Sequence, residues 1–463
     1  MQEKLHIHYS NDLHSHFENW GKIVHHFEQK KRRYQNHHES FWLIDLGDHV
    51  DRYHPIAEAY RGKKNVEFLN QAGYDVVTIG NNEGITLEYD DLYQLYNQAD
   101  FQVTCGNLSP SNEERPSWLR DDVLLTTSSG IRIRLIGLTA PFNAFYHELG
   151  WHVQSPYDYL DQHIRRIKKD ADVIILLSHL GLSEDENIAY KYPEIDVIIG
   201  GHTHHLLKSG KTVNQTLLTA AGKHGAYVGE VHLNWDHRLQ QLVEKEAYAV
   251  ETEQMDSDKK TDKLIHTTTE SAVAKLSETK VTISQQLKVD WFSSTQIVQS
   301  LTAMLKQWTG ADVAMLNAGL LLESLGPGKV TFADIHRICP HPINPCTVTL
   351  DGAELMEVIR GAHDPQLTQL ALKGFGFRGE VIGAITFWGI EIDRYEDETG
   401  KTHVRHAYWQ GHPIDLHQTY TLATADMFTF GHIFPAIARA TTKQFYLPEF
   451  MRDLLWHTLS EDS

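Results

Sequence analysis

The stretch Val197-Ile-Ile-Gly-Gly-His-Thr-His-His-Leu-Leu207 decides how the first half of this chain is read. A β-branched run meets a Gly-Gly pair, and the turn that follows carries His202, His204 and His205. Such a run stopped by glycines reads as a buried strand ending in a tight turn. The glycines let the backbone bend sharply, so imidazoles on neighbouring residues can converge. Whether they converge on something depends on how the other strands end.

Four other apolar runs end in the same way. "IHYSNDLHSH" ends with Asp12 and His14, "WLIDLGDHVD" with Gly47-Asp48, "VVTIGNNEGI" with Gly80-Asn81, and "VIILLSHLGL" with His179. Taken singly, each has an ordinary explanation as a cap, a turn or a hydrogen-bonded core histidine. Taken together, they place oxygen and imidazole donors at the carboxyl ends of strands, where open α/β sheets bind ligands. That donor set suits two divalent ions of the Mn, Zn, Fe or Co class. Two such ions about 3.5–4 Å apart polarise a phosphoryl group and supply a hydroxide for in-line attack.

Around these motifs the chain alternates strand and helix patterns. Strands are expected at Leu5–Tyr9, Phe41–Leu46, Val76–Ile79, Phe101–Thr104, Ile131–Leu138, Val173–Leu177 and Val197–Ile199, and helices at Ile56–Ala72, Leu87–Ala99 and Tyr157–Lys169. That rhythm is α/β. "LLTAAGKHGAYVGEVHLNW" (217–235) reads as strands paired around glycine turns. Residues 251–280 are charged, rich in Thr and Ser and free of Gly and Pro, which marks a partly helical connection between a domain at 1–250 and another at 281–463. In the second domain a helix is expected at Thr295–Trp308, a strand-turn-helix in "TVTLDGAELMEVIRGA", and a hairpin with an acidic tip in "GIEIDRYEDETGKTHVRHAYW".

The formal charge is −19. It argues against binding nucleic-acid polymers, which requires neutralising phosphates, but not against a small phosphate ester, because bound cations reverse the local sign. Cys105, Cys339 and Cys346 are too few for a disulfide framework, with a Cys339–Cys346 bridge left open. The first residues lack a signal-peptide apolar segment, and no long apolar run suggests a membrane span, so the expected location is cytoplasmic. Most of the 30 histidines read as ordinary; His25, His26, His37 and His38 sit in a charged, helix-like stretch.

"NDLHSH", "GDHVD", "GNNE", "SHLG" and "GGHTHH", in this order, resemble the calcineurin-like metallophosphoesterases, and more closely the 5′-nucleotidase / UDP-sugar hydrolase group with its YunD-like cytoplasmic bacterial branch. "LNAG", "TFADIHRICPHPINPCTVTLDGAEL", "GFGFRG" and "TLATADMFTFG" are similar, more loosely, to that group's substrate domain. The resemblance implies a four-layer α/β/β/α catalytic domain followed by an α+β C-terminal substrate-binding domain. It implies a phosphohydrolase acting on small phosphorylated compounds, nucleotides or nucleotide-sugar anhydrides. Carried over by position, Asp12, His14, Asp48 and His204 would hold one metal, and Asp48, Asn81, His179 and His202 the other. Asp48 would bridge them, and Thr203 would face away.

The chain also departs from the family. The usual Gly-Asn-His-Glu reads Gly80-Asn81-Asn82-Glu83 here, and Ile85 stands where an Asp partner of that His is usual. Asn82 can donate a hydrogen bond to a phosphoryl oxygen but cannot give up a proton near neutral pH. A preference for anhydrides over plain nucleoside monophosphates is therefore expected, unless His16, His49, His147 or His205 replaces the missing histidine. In the substrate domain, Arg378 is the candidate phosphate ligand. Phe375 and Phe377 would form one face of a base sandwich, with Phe428 or Phe430 the other; core aromatics at strand alternation are the competing reading. Phe430-Gly431-His432 replaces the family's Gly-Gly-Asp. Two rival functions use the same residues: a metal-bearing nucleotide sensor with weak turnover, and a cyclic-nucleotide phosphodiesterase.

Overall fold

A computed structural model describes residues 2–398, 402–431 and 433–461. The chain divides into two compact units, Met1–Ala272 and Val273–Ser463. The division falls inside the helix Lys259–Leu276, which occupies most of the stretch expected as a connection. That helix is docked on the first unit: the Asp258 amide donates to Gly21 O (2.9 Å), and a side chain at Gly21 would collide with Asp262.

In the first unit, two sheets face each other. One has seven strands and is centred on Gln2–Ser10 and Ser40–Asp45; the other has six and is centred on Val173–His179 and Val197–Gly200. Alternation along each strand explains the layers. Leu5, Ile7 and Tyr9 meet Val173, Ile175, Leu177, Val197 and Ile199 between the sheets. Ile174, Leu176 and Ile198 point the other way, under the helices Pro156–Lys169 and Leu182–Lys191. Strands covered on both faces read as continuous apolar runs, as Val173–His179 and Val197–Gly200 do. The central strands of both sheets pair in parallel, so their carboxyl ends lie along shared edges.

Two local expectations need correction. The helix expected over Ile56–Ala72 is broken into Pro55–Tyr60 and Lys63–Ala72 by Arg61 and Gly62, both at positive φ (49° and 77°). The strands in 217–235 do not pair with one another: Thr216–Thr219 belongs to the six-stranded sheet and Tyr227–Asp236 to the seven-stranded one. The Gly222-Lys223-His224-Gly225 turn carries the chain between sheets, anchored by the His224 amide on Asp12 O (2.9 Å).

The second unit is α+β. A five-stranded mixed sheet runs in the order Ile385–Trp388, Val313–Asn317, Thr419–Ala425, Pro345–Asp351, Lys443–Phe445. Helices Gln296–Thr309, Gly352–Ala362 and Met451–Glu461 share its core. The expected hairpin pairs Glu391–Glu396 with Thr402–Trp409; residues 399–401 of its tip lie outside the described residues, as does His432. All three cysteines are free and buried, Cys339 and Cys346 included. No helix is long and apolar enough to cross a membrane.

At the end of Thr419–Ala425, burial pushes the Asp426 carboxyl up to about 8, against backbone hydrogen bonds from Asn344 and Met427. The folded chain thus keeps a proton that the unfolded chain releases near 3.8, and stability falls as pH rises between those values. Asp426→Asn keeps the shape without the charge. It is expected to raise Tm at about pH 8 and change it little at about pH 4. Melting curves across that range check this; equal gains at both ends would contradict a buried proton at Asp426.

Candidate metal centre

All seven expected ligands gather at the carboxyl edge of the first unit. Asp12 and His14 follow Gln2–Ser10, Asp48 follows Ser40–Asp45, and Asn81 opens the short helix Asn81–Thr86. His179 ends its strand, while His202 and His204 follow Val197–Gly200. Asp12, His14, Asp48, His202 and His204 all have positive φ, between 50° and 72°. Non-glycine residues pay about 1–3 kcal/mol each for sparsely populated backbone regions, and such strain clusters at ligand sites. Gly80 is obligatory here, because a Cβ would fall 2.1 Å from Asp48 Oδ1.

The donors form two groups. Asp12, His14 and His204 make one, and Asp48, His179 and His202 the other, each with ligand atoms within 4.8 Å of one another. His14 Nε2 is 3.2 Å from His204 Nε2. Asn81 Oδ1 is 3.2 Å from His179 Nε2 and 2.7 Å from His202 Nδ1. Asp48 Oδ2 reaches both groups, 3.2 Å from His179 Nε2 and 3.6 Å from His14 Nε2. Asp12 Oδ1 lies 3.5 Å from His204 Nε2 and 3.9 Å from His179 Nε2. Two donors that each sit about 2.1 Å from one ion are roughly 3.0–3.4 Å apart, so much of this spacing is that of a coordination sphere. The donor chemistry fits a divalent cation as well.

Outer contacts aim these side chains, as a metal site would require. His179 Nδ1 donates to Leu46 O (2.8 Å), turning Nε2 inward. His14 Nδ1 faces Asp51 Oδ2 (3.2 Å). Asn11 Nδ2 donates to Asp12 Oδ2 (2.7 Å). The Glu83 carboxylate accepts from the amides of Asp48, Val50 and Gly80 (2.9, 2.9 and 3.0 Å), tying two ligand loops together. Burial, then Asp48, pushes Glu83 up to about 7. Glu83, Asp51 and Asn11 stand inside the quoted motifs, but each has a partner far off in sequence, so no local signal marks its role.

Burial opposes the positive charge on His179, but Asp48 and Asp12 outweigh it and hold this imidazole up to about 10. Burial would raise Asp48, but His179 and His14 keep it below the usual carboxylate range. Burial raises Asp12. Burial, reinforced by neighbouring imidazoles, pushes His202 down to about 4 and His204 to about 3. Among the described residues, the ion-pair partners of Asp12 and Asp48 are imidazoles rather than lysine or arginine.

Asn82 does not project freely toward a substrate. It is buried, its amide nitrogen lies 2.9 Å from His14 Nδ1, and its backbone N–H donates to Asp48 Oδ1 (2.7 Å). Its observed contacts are therefore those of a positioning residue. Of the four substitute histidines, His49 is buried against Trp20 and Asn65, His147 pairs with His152, and His205 is exposed and bonded to Thr203. His16 stacks on His224 (3.7 Å between ring centroids), and His224 stands edge-on to His14 (5.8 Å). His224 was not anticipated, because only the fold brings its turn beside Asp12.

In the second unit, the four aromatics separate. Phe377 is buried and stacks on His341, and Phe428 is buried against Phe434. Both are core residues, which corrects the expectation that they face a ligand. Phe375 and Phe430 lie outside that core, with parallel rings (3°) and centroids 6.0 Å apart. Gly374, Phe375 and Gly376 all have positive φ (94°, 53° and 78°), a bent loop that leaves Phe375 49% exposed. Arg378 is half-buried: its backbone N–H donates to His341 Nδ1 (2.9 Å) and its Nη1 to Phe377 O (3.2 Å).

Residues 5–206 match the calcineurin-like phosphoesterase family, and residues 272–438 match the 5′-nucleotidase C-terminal domain. Over 463 residues, the chain is 42% identical to the uncharacterized metallophosphoesterase YunD of Bacillus subtilis (strain 168), covering 100% of both. A putative 5′-nucleotidase from Staphylococcus aureus, crystallised in complex with alpha-ketoglutarate, shares the fold (TM-score 0.70, 18% identity, 99% of this chain and 97% of that one). So does Haemophilus influenzae NAD nucleotidase, NadN (TM-score 0.69, 17% identity, 100% and 97%). The chain belongs to the calcineurin-like phosphoesterases that carry a 5′-nucleotidase C-terminal domain, a family of metal-dependent hydrolases.

Proposed function

We propose that this hydrolase holds two divalent ions and cleaves small phosphorylated compounds, with nucleotides or nucleotide-sugar anhydrides as the substrate class. The observation that carries this reading is Asp48 Oδ2, which stands between the two donor groups as a bridging ligand would. When bound, such a pair supplies Lewis acidity to a phosphoryl oxygen and a water acidic enough to attack phosphorus in line. The chain's own part is to fix the donors. Asp12, His14, Asp48 and His204 would hold one ion, and Asp48, Asn81, His179 and His202 the other. Leu46 O, Asp51 and Glu83 hold their orientation. The surrounding structure holds these turns at positive φ despite the strain.

Substrate class rests on the second unit. The parallel rings of Phe375 and Phe430 need only a small separation to admit a planar base between them. Base–aromatic stacking contributes about 1–3 kcal/mol. Phe375→Ala is thus expected to raise KM for a nucleotide about 5–150-fold with kcat little changed. An unchanged KM would remove the base from the substrate class. Arg378 is the proposed phosphate contact. The buried free thiols favour a reducing compartment, which supports a cytoplasmic location.

The deciding experiment is phosphate release from p-nitrophenyl phosphate, AMP and ADP, and release of UMP and sugar 1-phosphate from a UDP-sugar, by metal-loaded protein. Turnover with Mn²⁺ that disappears on chelation is expected. Binding of these compounds without turnover, for every ion of the Mn, Zn, Fe and Co class, would instead favour the sensor reading, whose structural support is Asn82 facing His14.

A further inference from the structure

The strand Gln2–Ser10 is covered on both faces, yet only one face is apolar. Leu5, Ile7 and Tyr9 enter the core between the sheets, while His6 and His8 face the other way. Strands covered on both sides normally carry apolar residues on both. The neighbouring strand Tyr227–Asp236 does the same in register, with His232 opposite His6 and Glu230 opposite His8. Above them, the helix Trp20–Asn36 turns His26, Lys30 and Tyr34 toward this face at a spacing of four residues.

The side chains converge on Glu230. His26 Nε2 is 3.0 Å from Oε1, His8 Nδ1 is 3.7 Å from Oε1, and His232 Nε2 is 3.3 Å from Oε2. Donor atoms of His8, His26 and Glu230 all lie within 4.8 Å of one another. His8 is 0% exposed, and neither of its ring nitrogens has a hydrogen-bond partner. Buried polar groups are almost always satisfied, so an imidazole left this way points to something that completes it. A cavity of about 610 Å³, lined by His6, Lys30, Glu230 and His232 among others, reaches the Glu230 side of the cluster.

We propose that His8, His26 and Glu230, with His232 beside them, form a second metal site for a borderline divalent cation such as Zn²⁺, separate from the hydrolytic centre. It clamps the helix Trp20–Asn36 to the two strands beneath it. Lys30 is the built-in competitor: its ammonium sits 2.8 Å from Glu230 Oε1, and at 24% exposure it can withdraw into solvent when a cation arrives. His26, read from the sequence as one of several ordinary surface histidines, is a ligand in this arrangement.

The test uses the full chain, stripped of metal and titrated with Zn²⁺, with bound ions counted by elemental analysis. Wild type is expected to bind one more ion per chain than His26→Gln, with equal hydrolysis by both. Lys30→Gln is expected to bind that additional ion about tenfold tighter or better, because no ammonium has to be displaced. Equal stoichiometry in wild type and folded His26→Gln would overturn the site. So would weaker binding by Lys30→Gln, since the cluster would then be a carboxylate that needs its lysine. If His26→Gln does not fold, the Lys30→Gln titration decides alone. Neither result bears on the hydrolytic centre, whose ligands these variants leave intact.

Discussion

Asp48→Asn is expected to lower kcat/KM for phosphate release by more than about 10³-fold and to reduce the bound metal at the same time. A single hydrogen-bond donor aimed at developing charge is worth about 10²–10³ in rate, and a full cationic charge at the same place is worth more. Asparagine has the shape of aspartate, so its Oδ1 can still accept the Asn82 N–H (2.7 Å in the wild type) and the turn can persist. What changes is Oδ2. The atom that reaches both His179 Nε2 and His14 Nε2 becomes an NH₂, which offers no lone pair to an ion. Kinetics and metal analysis on the same preparation check this. A variant with full metal content and near-wild-type turnover would remove Asp48 from the bridge. Thr203→Ala is the control, because Thr203 is exposed and bonded to His205 and the Leu182 amide, not to the ligand cluster.

The residues gathered at the strand ends could be read from the sequence because their signal is local. Each follows an apolar run directly, and the strand end and the donor fall within a few residues of one another, as in Val197–Gly200 and His202. The supporting groups left no such trace. Asp51 acts on His14 across 37 positions and the Leu46 carbonyl on His179 across 133, and only the fold decides those pairings. Alternation is likewise visible without showing which side is the core. "GFGFRG" offers Phe375 and Phe377 two residues apart, and only the glycine-bent loop settles that the first is exposed and the second buried. The strands in 217–235 misled for the opposite reason, because a glycine turn within one sheet and a crossing between two sheets look alike over a few residues. His26 was misjudged on composition: its neighbours are charged, but its own side chain meets Glu230.

The second large expected effect concerns the leaving group. The family resemblance implies a histidine where this chain has Asn82, whose amide nitrogen lies 2.9 Å from His14 Nδ1. General acid help is worth about 10²–10⁴-fold. Its loss falls hardest on alkoxide leaving groups and least on phosphate, which departs without a proton. ADP or a UDP-sugar should therefore exceed AMP in kcat/KM by up to that factor, and the rate across a series of aryl phosphates should fall steeply as leaving-group pKa rises. AMP as the best substrate, or a flat dependence, would mean that a proton donor is present after all. Among the described residues, the His16–His224 stack beside His14 is the place to look for it. Burial and the neighbouring imidazoles push His224 down to about 2, so it is neutral near pH 7 and begins without a proton to give as an imidazolium. A flat series that turns steep in His16→Gln would identify the donor as His16. A steep series in the wild type, unchanged by that substitution, is the outcome that the Asn82 geometry requires.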